Sequence, residues 1–106
     1  MPSKSNQEEL ERIFIEEGRL MILSLLNRSS AFTANETVLL KGLELFGFAW
    51  TTLALRKELS WLEEQLAIDI SNVEGLLVIK LTNRGLEVIS GKTEVAGVAR
   101  ALPNSD

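Results

Sequence analysis

The stretch AIDISNVEGLLVIKLTNRGLEVISG, from Ala67 to Gly91, constrains the fold of this chain more than any other part. Apolar and polar residues alternate on both sides of NVEG, which is the pattern of two antiparallel strands joined by a turn. Thr82 then interrupts the alternation as a helix N-cap, and the apolar residues that follow have helical spacing. The sequence therefore predicts a β-hairpin with a four-residue connection and a short helix, with Gly85 allowing a close approach where they meet.

Three helical segments are predicted before the hairpin. Apolar residues near 3.6-residue spacing predict a first helix over residues 6–27, which Gly18 is expected to kink or break. The segment TANE has the form of a capping box, so a second helix is predicted over residues 33–46 with Thr33 as its N-cap. A third helix is predicted over residues 52–65, with leucines facing inward.

The residue types exclude most catalytic chemistry. The 106 residues include no cysteine and no histidine, so disulfides, thiolate and imidazole catalysis and the usual zinc sites are excluded. No paired carboxylates stand in a recognisable catalytic motif, and GLELFG is not a phosphate-binding loop. We therefore predict that the chain is not an enzyme and has no cofactor or metal site, and no small-molecule ligand is evident from the sequence.

The absence of cysteine, with the hydropathy and charge of the chain, indicates an intracellular protein. No apolar run approaches the roughly 18 residues of a membrane helix, and the polar, acidic start is unlike a signal peptide. The net charge of -4 argues mildly against a protein that binds polyphosphate over its whole surface. Most of the acidic excess lies in residues 1–17, so a local basic face remains possible elsewhere.

The order of the predicted elements resembles that of a winged helix-turn-helix domain. In that fold the third helix is the recognition helix and the hairpin is the wing. The segment LTNRG after the second strand resembles the Leu-Thr-x-x-Gly that many ArsR- and MarR-like regulators carry there. The resemblance implies a mainly α fold with a small β-hairpin, in the order α-α-α-β-β-α with an extended C-terminal tail.

Four motifs in order, GRLMILSLL, ANETVLLKGLELFGF, LRKELSWLEEQ and LTNRGLEVISGKTEVAGV, resemble a family of small proteins encoded by Mu-like phages and prophages. These proteins are often labelled ArsR-like regulators on fold grounds, and the resemblance covers about residues 18–98. It implies a location in the cytoplasm of a bacterial host cell. Family members carry a glycine where this chain has Leu66, and basic or proline residues where it has Ala96 and Ala99. The predicted parts are an acidic helical segment (1–17), a winged-helix domain (18–91) and a tail (92–106).

The outer surface of the third helix carries two adjacent cations and two hydroxyls. Arginine can bind guanine through two hydrogen bonds, and lysine and threonine can bind phosphate. With one cation of the wing, the predicted DNA-binding residues are Thr52, Arg56, Lys57, Ser60 and Lys80. The alternative is that Arg56 and Lys57 are ordinary solvated charges paired with Glu63 or Glu64. The metal sensing that the ArsR label implies has no cysteine or histidine ligands here.

The wing is less typical of a DNA-binding protein. Its tip carries Glu74 and its base Asp69, and a carboxylate repels phosphate. A wing that contacts another protein is therefore an equal alternative. The first hypothesis is a DNA-binding transcriptional regulator that acts as a homodimer. The second is a protein-protein interaction module, in a phage assembly or against a host factor, without DNA binding.

The acidic first segment carries an apolar stripe that could form a homodimer interface. The stripe consists of Leu10, Ile13 and Phe14. The alternative is that it folds back on its own domain.

Both tryptophans are expected to pack within the domain. Trp61 is expected to have a structural packing role, and Trp50 to pack beneath the turn between the second and third helices. The tail is expected to be partly ordered through Val98; the alternatives are that it crosses a partner subunit or is mobile.

Overall fold

This computed structural model describes residues 4–102, which contain four α-helices, a short 3-10 helix (Ser30–Phe32) and a three-stranded antiparallel sheet. The elements are α1 (Lys4–Asn27), β1 (Thr33–Asn35), α2 (Glu36–Leu45), α3 (Thr52–Glu64), β2 (Ile68–Val73), β3 (Leu76–Leu81) and α4 (Asn83–Ile89). The helices and hairpin strands follow the predicted order, and β1 is an additional strand. Parts of the predicted segments 1–17 and 92–106 lie outside the described residues. Within residues 4–102, no helix has the length and hydropathy needed to cross a bilayer.

The helix α1 passes through Gly18, so the predicted interruption there is wrong. Gly18 is buried, and a Cβ at this position would overlap the ring of Trp50. Trp50 packs edge-on against Phe48, with their ring centroids 6.0 Å apart. The glycine allows this close approach of helix and loop, which offsets its cost of about 1 kcal/mol in helix propensity.

Gly18→Ala should therefore destabilise the protein, although alanine is the better helix former. We expect the free energy of unfolding to fall by about 1–2 kcal/mol, because the added methyl displaces the Trp50 ring. Thermal unfolding followed by circular dichroism measures the change. In a Trp50→Leu background the same substitution should cost less, and an equal cost in both backgrounds would contradict the proposed contact.

The residues before α2 form a strand, so the predicted capping box at Thr33 is wrong. Thr33 pairs with Lys80 in the ladder between β1 and β3. Asn35 caps α2 instead, and its side-chain oxygen accepts a hydrogen bond of 2.9 Å from the Val38 backbone N–H. Threonine and asparagine are both good N-caps, so the pairing with β3 decides which of them begins the helix.

The connection from α2 to α3 agrees with the predicted boundaries. Gly47, with φ +90°, follows α2. Thr51 caps α3 by accepting a hydrogen bond of 3.0 Å from the Ala54 N–H. A glycine after one helix and a threonine before the next are local signals, which is why the sequence locates this turn.

After α3, Leu66 adopts a left-handed conformation with φ +63°. The Ala67 N–H donates a hydrogen bond of 3.1 Å to the Leu62 carbonyl, which closes the helix end in a Schellman-type turn. Such a position favours glycine because it has no Cβ. Leucine at this left-handed position therefore introduces local backbone strain.

The hairpin turn is shorter than predicted. Val73 pairs with Leu76, so the connection is the two residues Glu74 and Gly75 rather than four. Their φ values of +53° and +90° are typical of a type I′ turn, whose twist matches that of paired strands. The strand order is β1-β3-β2, so β3 lies between the other two strands.

The junction of β3 and α4 confirms the predicted roles of Thr82 and Gly85. The Thr82 hydroxyl accepts a hydrogen bond of 3.1 Å from the Gly85 N–H and donates one of 2.6 Å to the Leu66 carbonyl. Gly85 is buried, and a Cβ there would overlap the carbonyl oxygen of Ala67. The junction therefore holds α4 against the start of β2.

The core lies between α1, the inner faces of α2 and α3, and the sheet. Its fully buried large side chains are Ile22, Leu23, Leu26, Leu39, Leu43, Leu55, Leu59, Leu62, Ile68 and Ile79. The tail joins this core through buried Val95, and the Ala99 N–H donates a hydrogen bond of 3.1 Å to the Glu16 carbonyl of α1. Val98 also packs against this core, in agreement with the predicted partial order of the tail.

Candidate functional site

The outward surface of α3 carries four of the predicted DNA-binding residues. Leucines on the opposite side of the helix are fully buried, which turns the polar residues outward. The exposed residues are Thr52, Arg56, Lys57 and Ser60. Consecutive helical residues are about 100° apart, so Arg56 and Lys57 lie on opposite flanks of this surface.

Arg56 connects three elements of the fold. Its Nε and Nη2 atoms each donate a hydrogen bond of 2.7 Å to the Glu36 carboxylate at the start of α2. Nη2 also donates a bond of 3.1 Å to the carbonyl of Gly75 in the hairpin turn. The partner of Arg56 is therefore Glu36, and the alternative pairing with Glu63 or Glu64 is wrong.

Glu36 is the buried centre of this connection. It is only 3% exposed, and its carboxylate also accepts a hydrogen bond of 2.8 Å from the Leu77 backbone N–H. The hydrogen bond from Arg56 lowers the pKa of Glu36 although burial opposes the change. The same bond raises the pKa of Arg56. Because Arg56 keeps 42% of its side chain exposed, it is both a surface cation and a structural link.

Lys57 lies on the other flank of α3, beside a shallow groove. The groove is lined by Lys57, Ser60, Trp61 and Glu64 of α3 and by Arg19 of α1. No ion pair of Lys57 occurs among residues 4–102 in this structure. Lys57 therefore adds positive charge to this flank beside Arg19, whose charge is paired with Glu58, while Glu64 reduces the local potential.

Trp61 has the structural role that was predicted, through a cluster that the sequence did not indicate. The Arg19 guanidinium lies 3.7 Å from the centroid of the Trp61 ring, a cation–π contact. Arg19 also donates hydrogen bonds of 2.8 Å to the buried Glu58 carboxylate and to the Gly97 carbonyl. This cluster joins α1, α3 and the tail. Trp50 likewise packs in the loop before α3, as predicted.

Lys80 is placed apart from the other predicted DNA-binding residues. It lies on β3, directly between Thr33 of β1 and Asp69 of β2 in the ladder. An aspartate opposite a lysine partly offsets its charge. The exposed hairpin turn carries the negative charge of Glu74. Arg56 brings positive charge to the same turn, because its guanidinium donates a hydrogen bond to the Gly75 carbonyl.

The apolar stripe of α1 is at the surface. Leu10, Ile13 and Phe14 are 50%, 44% and 57% exposed. The Phe14 ring contacts Phe48 edge-on, with centroids 6.5 Å apart, and residues 4–102 leave Leu10 and Ile13 about half exposed. The stripe therefore remains a candidate interface.

Sequence reasoning missed the structural roles of Glu36, Arg19 and Glu58. Glu36 has a weak local signal, since a carboxylate in the first turn of a helix is common for reasons of the helix dipole alone. Arg19 and Glu58 stand among apolar residues of amphipathic helices, and their positions near the buried side indicate a charge that needs a partner. Neither signal identifies that partner.

The chain is similar to two uncharacterized proteins, one of them from a phage. It is 36% identical over 94 residues to an uncharacterized protein, gp26, of Escherichia phage Mu, and the match covers 88% of this chain and 96% of gp26. It is also 32% identical over 77 residues to an uncharacterized protein of Haemophilus influenzae, covering 72% of this chain and 74% of that protein. No protein-family model and no solved structure matches the chain. Because the match to gp26 extends over nearly the whole of both sequences, the chain belongs to the family of the phage Mu protein gp26.

Proposed function

We propose that the chain is a winged helix-turn-helix protein that binds DNA and regulates transcription. The observation that carries the proposal is the exposed outer surface of α3, held to the hairpin turn by the bonds of Arg56 to Glu36 and Gly75. A recognition helix and a wing must keep a constant relative position to contact neighbouring parts of one duplex. The additional strand β1 supports the fold assignment, because it fastens β3 to the segment before α2.

In this proposal the residues of α3 have different roles. Thr52, Lys57 and Ser60 contact DNA directly, with Lys57 binding phosphate or a base edge. Arg56 positions the wing and offers its remaining exposed N–H groups to the backbone. Lys80 provides a further charge from the sheet. The small number of free cations implies weak binding by one protomer, so a homodimer would strengthen it by doubling the phosphate contacts.

A mobility-shift assay with fragments of the phage's own genome tests DNA binding. We expect binding at micromolar protein in about 50 mM salt that weakens steeply towards about 200 mM, because neutralised phosphates release counterions. The absence of any salt-sensitive binding at micromolar protein would contradict the proposed DNA binding.

Lys57→Ala should weaken this binding without changing stability. Loss of one phosphate contact should reduce the slope of log K against log salt by about 1. Lys92→Ala is the matched control, since it removes the same charge from an exposed position after α4. Equal effects of the two substitutions would show that α3 does not face the DNA.

A second candidate is the protein-protein interaction module. The observation that favours it is the outer face of the hairpin, where the cross-strand pair Val73 and Leu76 is 55% and 38% exposed beside Glu74. An apolar surface with an acidic tip suits a protein partner better than a phosphate backbone. If the mobility-shift assay detects no binding, this candidate replaces the first.

A further inference from the structure

The exposed side of α1 has the spacing of a coiled-coil seam. Leu10, Ile13, Glu17 and Leu20 follow one another at intervals of three, four and three residues, which are consecutive a and d positions of a heptad. These four residues are called the α1 seam below. Leu10 and Ile13 are about half exposed, and Leu20 lies in an open groove that Ile89, Ala101 and Leu102 also line. The seam is therefore shaped to receive another helix.

The charges along the α1 seam determine which helix it can receive. Glu9 and Glu16 occupy the g positions that flank the seam, and Glu17 lies within it. The cations of this part of α1, Lys4 and Arg12, lie on the remaining faces of the helix, although Arg12 reaches the Glu9 carboxylate. Such an exposed pair within one helix contributes little, so the flank remains acidic.

A second copy of the chain fits this charge pattern poorly. In an antiparallel pair the g positions face each other, which places Glu9 near Glu16 of the other copy. In a parallel pair the a positions meet, which places Glu17 against Glu17. Both arrangements bring carboxylates together, and like charges at these positions oppose pairing.

We propose that the α1 seam binds a basic amphipathic helix of another protein. Apolar residues of the partner would pack on Leu10, Ile13 and Leu20, and its lysines or arginines would face Glu9, Glu16 and Glu17. An anionic membrane surface is a poor occupant for the same electrostatic reason. The Arg100 side chain also lines the groove, but its guanidinium lies 3.2 Å from the Glu94 carboxylate. The proposal depends on α1 alone and does not require DNA binding.

Two labelled peptides of three heptads test the proposal. Both carry leucine at a and d, and they differ only in having lysine or glutamate at e and g. Fluorescence anisotropy with the full chain in about 50 mM salt should show that the lysine peptide binds at least about tenfold more tightly. The difference should shrink in about 300 mM salt because the charges are exposed.

Charge-reversed variants supply the matched control. Glu9→Lys with Glu16→Lys should reverse the preference in favour of the glutamate peptide. Glu8→Lys with Glu11→Lys makes the same change in net charge at outer heptad positions, and it should leave the preference in place. If circular dichroism shows that the double variant is unfolded, the single variant Glu9→Lys, at an exposed position, repeats the test.

Any of the following results would overturn the proposal. One is that neither peptide binds the full chain. Another is that both peptides bind equally, or that the two double variants behave alike. The last is that the full chain sediments as a dimer that Ile13→Asp separates, because the seam would then hold a second copy, as the homodimer prediction states.

Discussion

Glu36→Gln is expected to lower the free energy of unfolding by about 2 kcal/mol. The buried carboxylate accepts two hydrogen bonds from Arg56 and one from the Leu77 N–H. An amide has one acceptor oxygen and no charge, so it cannot satisfy these donors together. The loss stays below that of a fully buried ion pair, because Arg56 is partly exposed and can regain water. Urea denaturation of the two proteins measures the difference.

The same substitution should change how stability depends on pH. The pKa of Glu36 is lowered in the folded protein, chiefly by the hydrogen bond from Arg56. Its stabilising contribution is therefore present above the ordinary pKa of 4.5 and is lost as the pH falls through the lower, folded value. Glu36→Gln should flatten this acid-side decline. Glu44→Gln, at an exposed position of the same helix, should leave both the stability and its pH dependence nearly unchanged.

The contact between Arg56 and Glu36 also determines which variants can test the proposed DNA binding. Arg56→Ala leaves the Glu36 carboxylate buried without its main partner and releases the hairpin turn at Gly75. A loss of the proposed DNA binding in that variant would combine a lost contact with a displaced hairpin. Lys57→Ala is the cleaner variant, because no ion pair of Lys57 occurs among the described residues 4–102.

Gly85→Ala is expected to destabilise the protein by about 3 kcal/mol, although alanine favours a helix over glycine by about 1 kcal/mol. A methyl group at this position would overlap the backbone oxygen of Ala67 and the Leu81 side chain. A backbone atom cannot move aside as a flexible side chain can, so α4 must shift away from the sheet. The melting temperature should fall by more than about 10 °C.

Glu87→Ala supplies the control for this prediction. It introduces alanine at an exposed position of the same helix and should change the free energy of unfolding by no more than about 0.5 kcal/mol. If Gly85→Ala proved as stable as Glu87→Ala, the close packing of α4 on the start of β2 would be wrong.

Features that depend on neighbouring residues were accessible from the sequence. The cap at Thr82 and the glycine after α2 are signals within a few residues of the structure they produce. The alternation in β2 and β3 located both strands, since each strand buries one face. The turn length was misjudged because alternation is weak near Glu74 and Gly75, and the register across the turn decides which residues pair.

The candidate site was accessible only in part. Amphipathic spacing was enough to turn Thr52, Lys57 and Ser60 outward on α3. It could not reveal that Arg56 is bonded to Glu36, which is 20 residues away. A surface arginine and an arginine that holds a buried carboxylate have the same helical position, and they differ only in what the fold brings near them.

The sequence by itself determined the helices, the hairpin and the outward surface of α3, because spacing and caps act over a few residues. The tertiary structure decided which residue caps α2, why α1 tolerates Gly18 and what Arg56 and Arg19 bind. Each of these depends on distant partners. Asn35 pairs with Val78 of β3, and the Trp50 ring lies against Gly18. The hydrogen bond from Arg19 to the Gly97 carbonyl joins residues 78 positions apart. Such contacts form only when the chain closes its long loops, and no short stretch of sequence encodes them.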